Sequence, residues 1–217
     1  MDEYKNELNW SLLSENSAIQ DMFSYKNWGD DRKGCYKNIT KYLSTFRNRW
    51  DWKILSQNKD INWDRQLIKE FSNEGWDWKY LSEHGKFLAK RKNDNDDYLT
   101  QLVKQFPVYF YLLSGRTDIV ISSKLLLSKR NEDWDWKLLS SNKKILLSSE
   151  LLLELKNKEW NWKSLTSRKD IKLNSELLQA LIDKEWDWGI ISNHPHIVYS
   201  SDFIKKIIHK PLDWTLI

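Results

Sequence analysis

The chain has 217 residues, and its 6 glycines and 3 prolines are too few for the many turns of an all-β sandwich or barrel. Its 35 lysine and arginine residues nearly balance 31 aspartate and glutamate residues, so the composition does not indicate a dedicated nucleic-acid-binding protein. A single cysteine, Cys35, excludes an internal disulfide framework and a zinc site built from several cysteines.

The N-terminal segment starts with acidic residues and lacks the apolar core of a signal peptide. The longest purely apolar run, residues 108–113, is too short to cross a bilayer. The sequence therefore predicts a cytoplasmic protein that does not interact with a membrane.

The first predicted helix begins at Trp10, directly after Asn9, and this arrangement recurs along the chain. We name the aromatic residue the key aromatic and the residue before it the cap residue. The key aromatics are Trp10, Trp52, Trp78, Phe110, Trp136, Trp162, Trp188 and Trp214. Five of the seven intervals are 26 residues, and the other two, of 42 and 32 residues, indicate insertions at about residues 24–39 and 91–97.

Most cap residues are Asp or Asn, whose side-chain oxygens accept the free backbone N–H groups at a helix N-terminus. They are Asn9, Asp51, Asp77, Asp135, Asn161, Asp187 and Asp213, with Tyr109 as the exception. A tryptophan precedes the cap in five repeats, and a leucine or isoleucine lies four residues beyond it. This spacing predicts a hydrophobic staple, in which the tryptophan packs on the fourth residue of its own helix.

A serine or threonine follows that leucine, where its hydroxyl can satisfy carbonyl groups as the short first helix ends. An apolar anchor comes next, at Ile19, Ile61, Phe87, Ile119, Ile145, Ile171 and Ile197. Pairs such as Asn174-Ser175 then predict the start of a longer second helix. Leu177, Leu178 and Leu181 form the apolar stripe of one such helix.

A helix pair of 26 residues cannot bury its own apolar face, so adjacent pairs are expected to stack. The sequence predicts an all-α fold, an α-solenoid of about seven short helix-turn-helix units in one domain spanning residues 1–217. The last unit, from Leu212, is expected to be incomplete, either as a truncated array or as a half-unit docked as a lid.

The triplets Trp134-Asp135-Trp136 and Trp186-Asp187-Trp188, each followed by a Leu-Ser or Ile-Ser step, carry a resemblance. The chain resembles the Trp-rich WDWxxLS tandem-repeat regions of some microbial and large-virus proteins over most of residues 8–217. It is also broadly similar to ankyrin, HEAT and tetratricopeptide arrays, although its period is shorter and their signature residues are absent. These resemblances imply helical repeats and, by analogy, partner binding.

Lysines directly follow the key aromatic in four repeats, near a helix N-terminus where the helix dipole disfavours a cation. We name this the lysine position; it holds Lys53, Lys79, Lys137 and Lys163. A row of these lysines would suit phosphate groups or an acidic partner. The favoured alternative is that each lysine lays its methylene chain over a tryptophan ring, since Ser11, Tyr111, Gly189 and Thr215 interrupt the row.

Other candidate chemistry is weak, and the sequence predicts no catalytic, cofactor-binding or metal-binding residue. His194 and His196 have no acidic or cysteine partner at metal-ligand spacing. The acidic group Asp94, Asp96 and Asp97 lacks the glycine and glutamate of a calcium loop and indicates a solvated loop. The tryptophans would suit stacking on sugars or bases, but a core role explains all of them except Trp28 and Trp63.

We therefore predict a non-enzymatic macromolecular-recognition scaffold, a protein-binding adaptor or the recognition arm of a larger protein, with no small-molecule substrate evident. The alternative is nucleic-acid binding through the lysine row. A regulatory or catalytic role of the insertion that contains Cys35 is the least favoured hypothesis.

Overall fold

The computed structural model describes residues 8–16, 32–59, 61–194 and 197–216. Within these ranges the regular elements are helices, apart from one parallel bridge between Ile121 and Ile145. The helices are α1 (Trp10–Glu15), α2 (Arg32–Thr45), α3 (Trp52–Gln57), α4 (Arg65–Glu70), α5 (Trp78–His84), α6 (Tyr98–Gln105), α7 (Phe110–Leu113), α8 (Ser123–Ser128), α9 (Trp136–Ser141), α10 (Ser149–Glu154), α11 (Trp162–Thr166), α12 (Ser175–Ala180), α13 (Trp188–Ser192) and α14 (Ser201–Ile207), with a 3₁₀ turn at Lys86–Leu88. The all-α prediction is confirmed.

The chain divides into two compact units. Unit 1 comprises Met1–Ala89 and Gln105–Val108, and unit 2 comprises Lys90–Lys104 and Tyr109–Ile217. In unit 1, the first helices of successive repeats are in contact, α1 with α3 and α3 with α5. In unit 2, α9 contacts α11, while the second helices α10, α12 and α14 contact one another in sequence. Within each unit, first helices of neighbouring repeats therefore pack on one another, and in unit 2 the second helices do so as well.

The predicted caps start the first helices. The side chain of Asp135, for example, accepts a hydrogen bond from the N–H of Leu138 at 2.9 Å, and equivalent bonds form at five other caps. Tyr109 makes no such side-chain bond, as its residue type predicts. Second helices begin in the same way at Ser148, Asn174 and Ser200, so the sequence located both helix starts correctly.

The second helices are shorter than expected in the regular repeats. α8, α10 and α12 have six residues each, close to the four to six residues of α7, α9 and α11. The apolar stripe continues past the helix end, because Leu155 and Leu181 are buried at the C-cap. A stripe at helical spacing therefore overstated the length of the helix.

The serine or threonine that follows the buried leucine of the first helix connects one repeat to the next. The hydroxyl of Ser140 donates to the carbonyl of Trp136 at 2.8 Å and accepts the backbone N–H of Asn161, the cap residue of the following repeat, at 2.9 Å. The same inter-repeat bond, at 2.8 to 3.2 Å, links Ser14 to Asp51, Ser56 to Asp77, Ser114 to Asp135, Thr166 to Asp187 and Ser192 to Asp213. These hydroxyls are buried. Besides the predicted bond to a carbonyl of its own helix, each therefore satisfies a backbone N–H of the next repeat.

The tryptophan before each cap also acts across the repeat boundary. The ring of Trp160 packs edge-on against Trp136 of the preceding repeat, with centroids 4.9 Å apart. Its indole N–H donates to the carbonyl of Leu155, the C-cap of α10, at 3.0 Å. Equivalent ring pairs are Trp50 with Trp10, Trp76 with Trp52, Trp134 with Phe110 and Trp186 with Trp162. The staple predicted within one repeat thus omitted the contact that joins two.

A polar side chain just beyond the first helix makes a further connection between repeats. Asn142 Nδ2 donates to the carbonyls of Ser114 and Arg116, both at 2.9 Å. In the next repeat, Arg168 donates to the carbonyls of Asn142 at 2.9 Å and Ile145 at 3.0 Å. These donors satisfy carbonyl groups that the end of a short helix leaves without partners.

Trp63, which the repeat pattern left unassigned, belongs to the core of unit 1. It is 6% exposed and packs edge-on against Trp76 at a centroid distance of 4.9 Å. It lies two residues after the anchor Ile61, and the equivalent residues of later repeats, Leu147 and Leu173, are also buried. Trp63 is therefore a larger version of a regular core residue. Trp28 and Ile19 lie outside the described residues.

We expect Ser140→Ala to lower the free energy of unfolding by about 1–3 kcal/mol, because the buried N–H of Asn161 loses its acceptor. Ser141→Ala is the matched control, since Ser141 is exposed and bonds only within α9, and should change stability by less than about 0.5 kcal/mol. Urea unfolding of both variants measures the difference, and equal losses would contradict a role of Ser140 between repeats.

The hydrogen bond from Arg168 holds the pKa of the Asp170 carboxyl below its ordinary value. A lowered carboxyl pKa stabilises the fold above the unfolded value of about 3.9, and this contribution is lost as the pH falls through the folded value. Asp170→Asn should therefore be less stable than the parent chain at pH 7, with the gap closing below about pH 4. Thermal unfolding at a series of pH values from about 2 to 7, a range that spans carboxyl titration, measures the difference in stability between the two chains. Asp133→Asn, at an exposed residue, serves as the control, and a gap that persists at low pH would contradict the assignment.

Candidate functional site

The four candidate lysines all lie on the exposed side of first helices. Lys53 and Lys79 belong to α3 and α5 of unit 1, and Lys137 and Lys163 belong to α9 and α11 of unit 2. All four are exposed, and their side chains make no ion pair or hydrogen bond within the described part of the chain. Their ammonium groups are therefore available to a partner.

A different set of lysines covers the key aromatic rings. Lys158 Nζ lies 5.5 Å from the centroid of Trp136, and Lys184 Nζ lies 5.7 Å from that of Trp162. Lys129 and Lys210 take the same place over Phe110 and Trp188. Each of these lysines lies just after a second helix, in the segment that leads to the next repeat. Ring coverage by Lys53 and its equivalents, the favoured interpretation of the lysine position, stays a prediction, while the cations observed over key aromatic rings belong to this other set of lysines.

The residue after the lysine position is apolar in most repeats and yet reaches the surface. We name it the apolar position; it holds Leu12, Ile54, Tyr80, Leu112, Leu138 and Ile190, with Ser164 interrupting. Leu138 is 46% exposed and Ile190 is 43% exposed. By contrast, Leu139 and Ile191, one residue further on, are fully buried. The helix turn explains this difference, because the key aromatic and the leucine point inward while the two residues between them point outward.

In unit 2 these positions form a surface that we name the outer face: Tyr111, Leu112, Lys137, Leu138, Lys163 and Ile190. Tyr111 is 37% exposed, and its ring lies edge-on to that of Tyr109, with centroids 6.2 Å apart. Exposed apolar groups that recur at one position of a repeat differ from the scattered exposed leucines of an ordinary surface. The outer face thus presents apolar groups next to unpaired cations.

The charge of the outer face is one-sided. Helices α7, α9, α11 and α13, as the structure describes them, contain no acidic residue. The cap carboxylates of Asp135 and Asp187 are engaged with backbone N–H groups of their own helices. Acidic residues instead occur on the second helices, at Glu150, Glu154 and Glu176. The outer face is therefore complementary to negative charge.

The acidic group in the shorter insertion does not converge on an ion. Asp94 accepts the backbone N–H of Arg91 at 2.8 Å, and Asp96 pairs with Lys90. Asp97 pairs with Lys124, and hydrogen bonds from Lys124 and Thr100 lower the pKa of its carboxyl. These contacts orient each carboxylate toward a separate donor.

The remaining candidates contribute little to a site. His84 and His209 are exposed, His194 is half-buried, and His196 lies outside the described residues. Cys35 lies in α2, but its side chain is outside the described part. Sequence reasoning missed the apolar position, because a leucine on a short helix reads as core; its recurrence directly after an exposed lysine was the available signal.

No protein-family model, curated protein or solved structure matches this chain. Among the described helices, none combines the length and apolar character needed to span a bilayer.

Proposed function

We propose that this chain is a non-enzymatic protein-recognition scaffold, an α-solenoid of seven repeats that binds a partner on the exposed side of its first helices. The support for stacking is the recurrence, within each unit, of the serine bond and the ring contact between successive repeats. Contacts that recur at one residue position in each repeat build a regular surface, which is what repeat proteins use for recognition.

The outer face of unit 2 is the observation that supports a protein partner. Leu138 and Ile190 are each nearly half exposed, beside Lys137 and Lys163. Burying aliphatic side chains of this kind favours association with apolar groups of a partner, by about 1 kcal/mol for half of a leucine. The unpaired lysines in turn favour carboxylates. The partner that fits is a protein segment, acidic overall, with apolar side chains spaced along one side.

Nucleic-acid binding through the lysine row is the second candidate. Its support is the exposure of Lys53, Lys79, Lys137 and Lys163 without acidic partners in the described chain. Phosphate groups would satisfy these cations. The aliphatic side chains of the apolar position would gain nothing from a phosphate backbone, and this favours protein over nucleic acid.

Selection of peptides from a random display library against the full chain tests the protein hypothesis. We expect enriched peptides to combine acidic residues with leucine, isoleucine or phenylalanine. The triple variant Lys137→Gln/Leu138→Ser/Lys163→Gln should weaken a selected peptide by at least about tenfold, equivalent to about 1.4 kcal/mol. Fluorescence anisotropy with the labelled peptide measures the affinity.

The matched control is Leu153→Ser/Lys156→Gln/Lys172→Gln, which removes the same kinds of group at exposed residues away from the outer face. It should bind the peptide like the parent chain. Enriched peptides without acidic character, or equal loss in both triple variants, would contradict recognition by the outer face.

A salt titration with single-stranded and double-stranded DNA and RNA tests the second candidate. If the lysine row contacts phosphates, affinity should fall steeply with salt, and Lys53→Gln/Lys79→Gln/Lys137→Gln/Lys163→Gln should flatten that dependence. Under the protein hypothesis, we expect weak nucleic-acid binding that the quadruple variant leaves unchanged. A slope that drops by about four in the variant would instead establish the lysine row as a phosphate-binding surface.

A further inference from the structure

Unit 1 contains a half-open groove of about 330 Å³ between two successive repeats. One wall comes from the turn between α3 and α4 and includes Lys59 and Trp63. The other wall comes from α5 and the turn that follows it, and includes Tyr80, His84 and Lys86. A volume of this size is within the range of small-molecule sites, which begin at about 300 Å³.

The walls are aromatic where they are deep and cationic where they are exposed. Trp63 is buried, and Tyr80 is half-buried with its ring centroid 4.7 Å from that of His84. A planar ring that enters the groove can therefore lie against aromatic faces or edges. Such contacts are tolerant of the exact ring, because every nucleobase offers a π-face.

Two unpaired cations stand at the rim. Lys59 and Lys86 are exposed, and neither side chain makes an ion pair or hydrogen bond within the described residues. None of the described residues that line the groove is acidic. The carboxylate of Glu83 lies 3.6 Å from His84 Nε2 and is exposed to solvent. The rim consequently favours an anionic group over a neutral or cationic one.

Two other hollows of similar size lack this combination. The hollow lined by Glu15, Ile54 and Lys59 has no aromatic wall and includes a carboxylate. In unit 2, the hollow lined by Lys90, Arg91 and Lys144 is cationic, again without an aromatic ring. Of these three hollows, the groove of unit 1 is the one lined by both aromatic rings and lysines.

We propose that this groove binds a small planar aromatic anion of the nucleoside-monophosphate type, with the ring against Tyr80, His84 and Trp63 and the phosphate between Lys59 and Lys86. This site is separate from the outer face of unit 2 and does not depend on protein binding there. The groove volume suits one nucleotide, so the ligand is a free mononucleotide rather than a strand.

Isothermal titration of the full chain with AMP, adenosine and inorganic phosphate at low salt tests the site. AMP should bind with a 1:1 stoichiometry, and adenosine and phosphate should each bind at least about tenfold more weakly, because each supplies only half of the interaction. Lys59→Gln/Lys86→Gln should weaken AMP at least about tenfold and leave adenosine unchanged. Tyr80→Leu should weaken both AMP and adenosine.

The control is Lys143→Gln/Lys169→Gln, which removes the same charge at two exposed residues of unit 2, both equivalent in the repeat to Lys59, and should leave AMP binding intact. Circular dichroism and urea unfolding verify that each variant retains the fold. Absence of AMP binding at millimolar concentration, equal loss in the control, or equal binding of AMP and phosphate would overturn the proposal. A 5′-phosphorylated oligonucleotide that binds more than about tenfold tighter than AMP would also overturn it, because the ligand would then be a strand.

Discussion

Within each unit, a buried hydroxyl at the end of a first helix joins that helix to the start of the next repeat. The hydroxyl accepts the backbone N–H of the following cap residue, and it does so at Ser140 and at Thr166 with the same geometry. A helix of five or six residues is too short to be stable by itself in water. Each repeat therefore depends on its neighbour for hydrogen bonding as well as for burial, and the remaining contacts are built around this connection.

The same dependence determines which side chains remain for binding. Trp136 packs against Trp160 of the following repeat and lies beneath Lys158, so its ring is buried and is not available to a ligand. Between the key aromatic and the buried leucine, two residues of each first helix point outward, and in α9 these are Lys137 and Leu138. A binding surface on this side must therefore combine a cation with an aliphatic group, whereas the groove of unit 1 arises where a turn brings Trp63 beside Tyr80.

Some elements followed directly from the residues. Asp135 and Asn174 were placed correctly as helix starts, because a cap is a local interaction between a side chain and an N–H three residues away. The lysines that the structure places over key aromatic rings, such as Lys158 over Trp136, were not predicted. Lys158 lies 22 positions beyond Trp136, so no interaction between residues close in sequence predicts that it covers this ring.

The sequence by itself determined the period, the helix starts and the all-helical composition, since these depend on interactions within a few residues. It also indicated which columns are buried, through the recurrence of tryptophan and leucine. Only the tertiary structure decided that serine, asparagine and arginine side chains connect one repeat to the next, and that the apolar position reaches the surface. Those outcomes depend on how two repeats are positioned against each other, and the orientation of one helix pair on its neighbour is not encoded at any single position.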